Sequence, residues 1–126
     1  MSNQKVNVQE VVIDGMPYIP KSEQAKMSSN TEGLPFVCVR TYSAGVHCGY
    51  LKSQEGKQVI LLDSIRIHYW SGAASLSQLA VEGVNNPASC RFAMPVKEII
   101  LTEAIEIIPM TEIAVNNIQN VPTWKK

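Results

Sequence analysis

Two segments rich in small residues carry the side chains of this chain that are best suited to hold an anionic ligand. Residues 40–51 (RTYSAGVHCGYL) and 69–83 (YWSGAASLSQLAVEG) flank a strand-like run that contains Arg66, His68 and Trp70. Small residues leave backbone amides open to a ligand, arginine binds phosphate or carboxylate, and aromatic faces stack on bases. The combination predicts a pocket for an anion such as the phosphate of a small nucleotide.

The strand-like run also has a simpler interpretation. Arg66, His68 and Trp70 alternate with apolar residues, so we expect them on one strand face, just before residues 71–75 (SGAAS), which begin a predicted helix. The same face is equally compatible with an arginine stacked on a tryptophan in solvent, and residues 43–49 with a tight strand connection. The candidate ligand-binding residues are Arg40, Tyr42, Ser43, Ala44, Gly45, His47, Arg66, His68, Trp70, Ser71, Gly72, Ala73, Ser75, Arg91 and Phe92.

The titratable residues do not form a recognisable catalytic or metal-binding set. Zinc takes about four ligands, whereas the histidines and cysteines show no paired spacing: His47, His68, Cys38, Cys48 and Cys90. Cys48 or Cys90 with His68 would supply a nucleophile and a base, but no oxyanion-binding sequence accompanies them, and a free cysteine is more often simply buried. We therefore expect no metal, no cofactor and no enzymatic activity.

Composition narrows the class of partner. The 126 residues include 11 basic and 11 acidic side chains, so the chain lacks the positive charge with which proteins hold DNA or RNA nonspecifically. Only 17% of the residues are charged, which leaves few solvating groups and favours a homo-oligomer.

Three cysteines without a signal peptide favour the reducing cytoplasm. No apolar run approaches the roughly 20 residues that span a membrane.

The chain divides by composition at residue 35. Residues 1–35 begin with polar side chains and end in a Ser/Asn/Gly-containing stretch at 27–35 (MSSNTEGLP), which predicts an appended N-terminal arm. Within this arm, residues 11–19 (VVIDGMPYI) place Asp14 and Gly15 between apolar runs, which predicts a small hairpin. Residues 36–126 are expected to form a single compact ligand-binding domain.

The domain is expected to be α+β and mainly β. Residue types and turn signals predict a strand at 36–42, a break at 43–49, two strands in 50–62, and a strand at 63–70 with Ile65, Ile67 and Tyr69 on its packed face.

Helical signals follow the fourth strand. Ser75 and Gln78 form a capping box for a short helix that ends at Gly83, and Thr111 caps a final helix that stops before Pro122. Between the helices, residues 92–108 predict two short strands with a bend near Thr102, although a helix is compatible with the same apolar run. The order of elements predicts a small strongly bent sheet or an Sm/SH3-like barrel with an inserted short helix and a C-terminal helix.

Three long strings resemble a family of small phage proteins. They are residues 40–51, residues 66–84 (RIHYWSGAASLSQLAVEGV) and residues 95–114 (PVKEIILTEAIEIIPMTEIA). The family is that of the phage anti-Thoeris sponges, which sequester cyclic ADP-ribose isomers. The resemblance implies capture, without turnover, of a messenger made by a bacterial TIR-domain enzyme, in the cytoplasm of the infected host. It also implies an oligomer built from dimers, up to a hexamer, and binding of cyclic oligonucleotides of the CBASS defence system.

The residue types agree with such a ligand. A cyclic ADP-ribose isomer carries a pyrophosphate, riboses and an adenine, which call for arginine or amide donors, hydroxyl partners and an aromatic platform. Three alternatives stay open: an Sm-like RNA-binding module, which the neutral charge disfavours, a structural phage interaction protein that binds no nucleotide, and a hydrolase of the same messenger.

Overall fold

A computed structural model describes residues 11–13, 16–18 and 26–126 of the chain. The described strands are β1 (Val11–Ile13), β2 (Met16–Tyr18), β3 (Phe36–Thr41), β4 (Val46–Glu55), β5 (Gln58–Tyr69), β6 (Arg91–Phe92), β7 (Val96–Leu101) and β8 (Ala104–Pro109). The described helices are α1 (Leu76–Glu82) and α2 (Glu112–Gln119), with a 3-10 turn at Pro87–Ser89 between them. The protein is therefore α+β and mainly β, as predicted.

One antiparallel sheet organises the domain. Its strand order is β6-β5-β4-β3-β8, and β7 pairs with β5 beside β6. β7 and β8 thus belong to opposite edges, yet only Thr102 and Glu103 connect them. Three chain steps reach about 11 Å, whereas four strand spacings in a flat sheet would measure about 19 Å. The sheet must therefore bend until its edges converge.

The sheet is bent rather than closed. The Ala104 amide donates to the carbonyl of Lys57 (3.0 Å), and Ala104 also pairs with Thr41, so the edges meet at the start of β8. Within the described part of the chain, no strand pairing joins β7 to β8. Of the two expected forms, the strongly bent sheet is confirmed and the closed barrel is not.

The sheet buries both of its faces, because β3 alternates between two apolar clusters. Phe36 and Cys38 belong to the larger cluster, which also takes Ile65 and Ile67 from β5 and residues of both helices. The smaller cluster fills the inside of the bend and consists of Val37, Val39, Val59, Leu61 and Leu101, with Ile99 and Ile107 among the side chains packed against it. The cores thus define a helix side and an inner side of the sheet.

Both helices begin at the predicted caps. The Ser75 hydroxyl accepts from the Gln78 amide, and the Thr111 hydroxyl accepts from the Ala114 amide, each at 3.1 Å. The Gly83 amide donates to the Leu79 carbonyl (2.9 Å) and ends α1. Local hydrogen-bond chemistry was therefore sufficient to locate these helix ends.

The central strands are longer than predicted. Residues 46–49, which were expected to form a break, belong to β4. The strand expected at the end of residues 50–62 and the strand expected at residues 63–70 form a single strand, β5. The pairing shifts at Gly49, where a Cβ would lie 2.9 Å from the Leu62 carbonyl oxygen. Asp63, opposite this irregularity, has a φ of 50°. The bulge keeps the strands continuous while reversing which β5 residues face inward.

The N-terminal region contributes a hairpin and a strap. β1 and β2 pair antiparallel, as the predicted hairpin requires, while Asp14 and Gly15 of its turn lie outside the described residues. The Ser28 amide donates to the Met110 carbonyl (3.0 Å), and the Phe36 amide donates to the Ser28 carbonyl (3.1 Å). The stretch predicted as a linker is therefore hydrogen-bonded to the domain.

Candidate functional site

A cavity of about 250 Å³ opens on the inner side of the sheet, next to the smaller apolar cluster. Its polar residues are His47 from β4 with Ser64 and Arg66 from β5, and its apolar residues are Ala93, Met94, Val96 and Ile99. His47 and Arg66 are direct cross-strand partners. The cavity therefore brings together two residues that the sequence analysis selected, His47 and Arg66, and one that it missed, Ser64.

His47 is a neutral hydrogen-bond acceptor in this wall. The imidazole is fully buried, and its Nε2 lies 2.9 Å from the carbonyl oxygen of Ala44. A carbonyl only accepts, so Nε2 carries the proton and the neutral ring keeps a lone pair on Nδ1. Burial lowers the pKa of His47; the Ala44 hydrogen bond opposes this shift and the Arg66 charge adds to it. Nδ1 has no partner among the described residues.

Ser64 presents a second polar atom without a partner. Its side chain is 1% exposed, and no described residue hydrogen-bonds its Oγ. A buried polar group left unpaired costs about 1–3 kcal/mol, and most such groups in folded proteins have a partner. Two of them in the wall of one cavity, with the exposed guanidinium of Arg66 beside them, indicate a site for a polar ligand.

An aromatic and cationic cluster continues this surface along β5. The His68 and Trp124 rings stack with centroids 5.0 Å apart and planes inclined by 15°. The guanidinium carbon of Arg91 lies 5.6 Å from the Trp124 ring centroid, within the range of a cation–π contact. The Trp124 amide donates to the Phe92 carbonyl (2.9 Å), which fixes the C-terminal segment against β6. We call His68, Arg91 and Trp124 the stacking cluster.

The cavity and the stacking cluster are connected through β5 and β6. Arg66 and His68 are both exposed and are separated by one buried residue of β5, a spacing of about 7 Å. The Ala93 amide donates to the Arg66 carbonyl (3.0 Å), so the segment after β6 borders both features. A ligand could therefore occupy the cavity and reach the cluster at the same time.

Residues 71–75 do not contribute to this surface. The Ser71 amide donates to Sγ of Cys90 (3.4 Å), and the Ala74 amide donates to Oε1 of Gln78 (2.8 Å). The Gly72 carbonyl accepts from the Asn85 amide (3.1 Å). Ser75 caps α1. The segment therefore uses these groups to fix its own conformation.

Trp70 does not lie on the strand face on which it was expected. Its indole Nε1 donates to the Ala73 carbonyl (3.2 Å), and its ring packs against the cluster that contains Ile65 and Ile67. The pairing of β5 with β6 shifts between Ile67 and Tyr69, so strict alternation ends before Trp70. The prediction that Trp70 shares a face with Arg66 and His68 is wrong. Phe92 is likewise 2% exposed in the same cluster and is not open to a ligand.

The turn at residues 42–45 is a strand connection closed by Thr41. The Thr41 hydroxyl donates to the Gly45 carbonyl (2.7 Å) and accepts from the Ala44 amide (2.8 Å). The Ser43 hydroxyl donates to Oε1 of Glu103 (2.6 Å), and Tyr42 is 78% exposed. Residues 42–45 do not line the cavity. They are linked to it through the Ala44 carbonyl, which accepts from Nε2 of His47 and so orients this ring.

Arg40 also lies apart from the cavity. Its Nε donates to Oε1 of Glu106 at 3.0 Å, and both side chains are solvent-exposed. Of the candidate residues Arg40, Tyr42 and His47, only His47 lines the cavity.

The cysteines are buried thiols. Cys38 and Cys48 face each other across β3 and β4. The hydrogen bond between the two thiols, followed by burial, raises the pKa of the Cys48 thiol. Within residues 11–13, 16–18 and 26–126, no group of three or more His, Cys, Asp or Glu residues is placed to hold a metal ion. No helix in the described part of the chain is long and apolar enough to cross a bilayer.

Several residues of the site lie outside the set predicted from the sequence: Ser64, Trp124 and the apolar lining residues Ala93, Met94, Val96 and Ile99. Ser64 is a polar residue in a run that is otherwise mostly apolar, residues 59–65 (VILLDSI), which marks a buried polar side chain. Trp124 is one of two tryptophans and stands before Lys125 and Lys126, an aromatic and basic pairing of the kind sought elsewhere in the chain. Met94 carries no comparable signal.

Together these features define a small α+β protein with a bent antiparallel sheet, helices on one side and a polar cavity on the other. The family model described as "Domain of unknown function (DUF6948)" matches residues 34–118, and the chain belongs to this family. No curated protein and no solved structure matches the chain.

Proposed function

We propose that the protein is a phage counter-defence protein that binds and sequesters a cyclic ADP-ribose isomer in the cytoplasm of the infected bacterium, without cleaving it. The observation that supports this most is the continuity of the cavity with the stacking cluster. The first offers His47, Ser64 and Arg66, and the second offers Arg91 and the Trp124 ring. Hydroxyl partners, phosphate-binding cations and an aromatic platform are the groups that a dinucleotide requires.

The size of the cavity bears on how such a ligand is held. At about 250 Å³ it is smaller than the roughly 300–1,000 Å³ of typical small-molecule sites, so one chain encloses only part of a dinucleotide. A sponge with nanomolar affinity needs about −12 kcal/mol, which a half-open site does not provide. The proposal therefore includes a homo-oligomer, built from dimers, in which a second copy covers the ligand. Cyclic oligonucleotides remain part of the proposal as a second ligand class.

Capture without turnover is consistent with how the reactive groups are engaged. The Nε2 proton of His47 is committed to the Ala44 carbonyl, which leaves this residue as a hydrogen-bond acceptor. Glu103 accepts from Ser43, and Glu106 is paired with Arg40. Cys48 is fully buried, with a raised thiol pKa. Neither the two glutamates nor Cys48 is therefore arranged as a nucleophile beside a base.

Ligand capture tests the proposal directly. The purified protein is incubated with the products of a Thoeris TIR-domain enzyme, separated from unbound material and denatured, and the released nucleotide is identified by mass spectrometry. Intact cyclic ADP-ribose isomer in stoichiometric amount is the expected result. Release of a cleaved product, with consumption of excess ligand, would make the protein a hydrolase, and recovery of no nucleotide would refute the proposal.

A pair of arginine variants locates the binding surface. Arg66→Ala removes the cation beside the cavity and is expected to weaken binding by roughly 10- to 100-fold, the value of a charge-assisted hydrogen bond of about 1.5–3 kcal/mol. Arg40→Ala is the matched control, because it removes the same side chain from a surface ion pair outside the cavity. Equal losses in both variants would contradict the assignment of the cavity.

A further inference from the structure

Two residues that line the cavity, His47 and Ser64, each have a side-chain atom without a described hydrogen-bond partner, and these atoms favour some groups of a ligand over others. Nε2 of His47 already donates to the Ala44 carbonyl, so the unpartnered Nδ1 can only accept while the ring is neutral. Ser64 Oγ, also unpartnered, can both donate and accept. Satisfying both atoms requires a ligand group that donates at least one hydrogen bond.

The pyrophosphate of a cyclic ADP-ribose isomer does not meet this requirement, because it carries no proton at neutral pH and can only accept. Its oxygens would face the lone pair of Nδ1, and they would become acceptable only if His47 were protonated. Burial and the Arg66 charge both oppose protonation and outweigh the Ala44 hydrogen bond. Arg66 is the only charged residue that lines the cavity, and β3 places the apolar Val39 opposite His47, so no described carboxylate there stabilises an imidazolium.

The remaining wall also disfavours a buried anion. Ala93, Met94, Val96 and Ile99 are apolar, and an anion placed among them would lose its hydration without a compensating partner. Arg66, in contrast, is exposed beside the cavity and directly opposite His47 in the strand register. Cross-strand partners have Cβ atoms about 5 Å apart, so Arg66 and His47 can contact neighbouring groups of one ligand.

We propose that His47 and Ser64 bind a ribose hydroxyl of the ligand at the wall of the cavity, while the attached phosphate is held by the exposed Arg66. This inference rests on the proposed function in taking the ligand to be a nucleotide, and it adds the orientation and the group that is recognised. Ligands that lack this hydroxyl are discriminated against, because their binding leaves the Nδ1 acceptor unpaired.

Ser64→Ala combined with modified ligands tests the inference. Ser64 Oγ has no described partner, so its removal breaks no hydrogen bond to a described residue, and the variant is expected to unfold at an unchanged or higher denaturant concentration. It is expected to bind a cyclic ADP-ribose isomer about three- to tenfold more weakly, the value of one hydrogen bond. Ser53→Ala, which removes an exposed hydroxyl of β4 outside the cavity, is the matched control with unchanged binding.

Deoxy analogues identify the partner of Ser64. Each ribose hydroxyl of the isomer is replaced in turn by hydrogen, and affinities are measured for both the wild type and Ser64→Ala. Loss of the hydroxyl at one position is expected to weaken wild-type binding by at least about threefold and to have a smaller effect in the variant. Such non-additive effects are typical of two groups that contact each other. Strictly additive losses at every position, or no loss at any, would overturn the inference although the isomer is bound.

Nuclear magnetic resonance of His47 separates this inference from the proposed function. The ¹⁵N resonance of Nδ1 is followed while ribose 5-phosphate or inorganic sulfate, an anion without a hydrogen-bond donor, is added at millimolar concentration to the full chain. Ribose 5-phosphate is expected to shift the resonance in the direction of an accepted hydrogen bond, and sulfate is not. An equal shift with both, or no shift with ribose 5-phosphate, refutes the inference, whereas a wild type that captures no cyclic nucleotide refutes the proposed function.

Discussion

Asn117 of α2 holds the segment that follows α1 in place, and its replacement by alanine gives the sharpest stability test. Its Oδ1 accepts from the Val84 amide (2.8 Å), and its Nδ2 donates to the Val84 carbonyl (2.9 Å). Val84 is 3% exposed, so both of its backbone groups depend on this one side chain. Asn117→Ala leaves an amide and a carbonyl without partners in the protein interior.

The expected loss follows from these two contacts. An unpaired buried polar group costs about 1–3 kcal/mol, and water admitted by the smaller side chain compensates part of it. We therefore expect Asn117→Ala to lower the free energy of unfolding by about 2–4 kcal/mol. With a urea m-value of about 1–3 kcal/mol/M, the midpoint of equilibrium unfolding falls by roughly 1–2 M.

Asn116→Ala is the matched control. Asn116 is the preceding residue of α2, is exposed, and loses the same side-chain atoms, so its replacement is expected to change stability by only a few tenths of a kcal/mol, in favour of alanine. Unfolding free energies of the two variants that differ by less than about 0.5 kcal/mol would refute the role given to Asn117.

The same variant separates the two candidate binding surfaces. The Asn85 amide, next to Val84, donates to the Gly72 carbonyl, so Asn117→Ala loosens residues 70–75 on the helix side. The cavity of His47 and Arg66 lies on the inner side of the sheet. Measured in buffer without denaturant, where the variant is folded, binding is expected to stay at the wild-type level. A selective loss of binding would return the site to residues 71–75.

Three further predictions concern single residues. Burial lowers the pKa of His47 below 6.5, so the unfolded chain takes up more protons as the pH falls through that value; wild-type unfolding free energy should therefore decline more steeply below pH 6.5 than that of His47→Gln, and parallel profiles would contradict this. Gly72 and Gly45 both have positive φ, but only at Gly72 would a Cβ meet backbone, 2.5 Å from the Asn85 nitrogen; Gly72→Ala should cost several times the roughly 1 kcal/mol of Gly45→Ala in chemical denaturation. Trp124→Ala should weaken nucleotide binding by about 1–3 kcal/mol in calorimetry, because a base loses its stacking surface, with little change in unfolding midpoint.

The parts of the fold that were predictable are those set by local chemistry. Thr111 and Ser75 cap helices because a side-chain oxygen within three residues satisfies a free amide. Gly56 marks the β4–β5 turn with a φ of 59°, a conformation that glycine adopts without strain. Each of these features depends on a few adjacent residues, so the sequence pattern contains all that is needed.

The parts that were not predictable depend on residues far apart in the chain. Residues 43–49 were expected to form a break, but Val46, His47 and Cys48 pair with β5. This pairing supplies the hydrogen bonds that make the second half of the segment a strand. The strand face predicted for Trp70 was wrong because the register shift near His68 ends the alternation of inward-facing and outward-facing side chains along β5. The cavity itself requires β7 to lie beside β5, and no local pattern near residue 64 encodes that neighbour.

The position of the polar residues in the cavity argues that it is more than a packing defect. The smaller cluster continues toward Ser64 and His47 with apolar side chains on β3, β5 and β7, so an alanine at 64 and an apolar ring at 47 would extend it at lower cost. Each unpaired atom instead lowers stability by about 1–3 kcal/mol. A ligand hydroxyl removes both costs on binding, so the groups that destabilise the free protein contribute affinity to the complex. The unchanged or higher stability expected for Ser64→Ala and its weaker binding therefore have the same cause, the unpaired Ser64 hydroxyl.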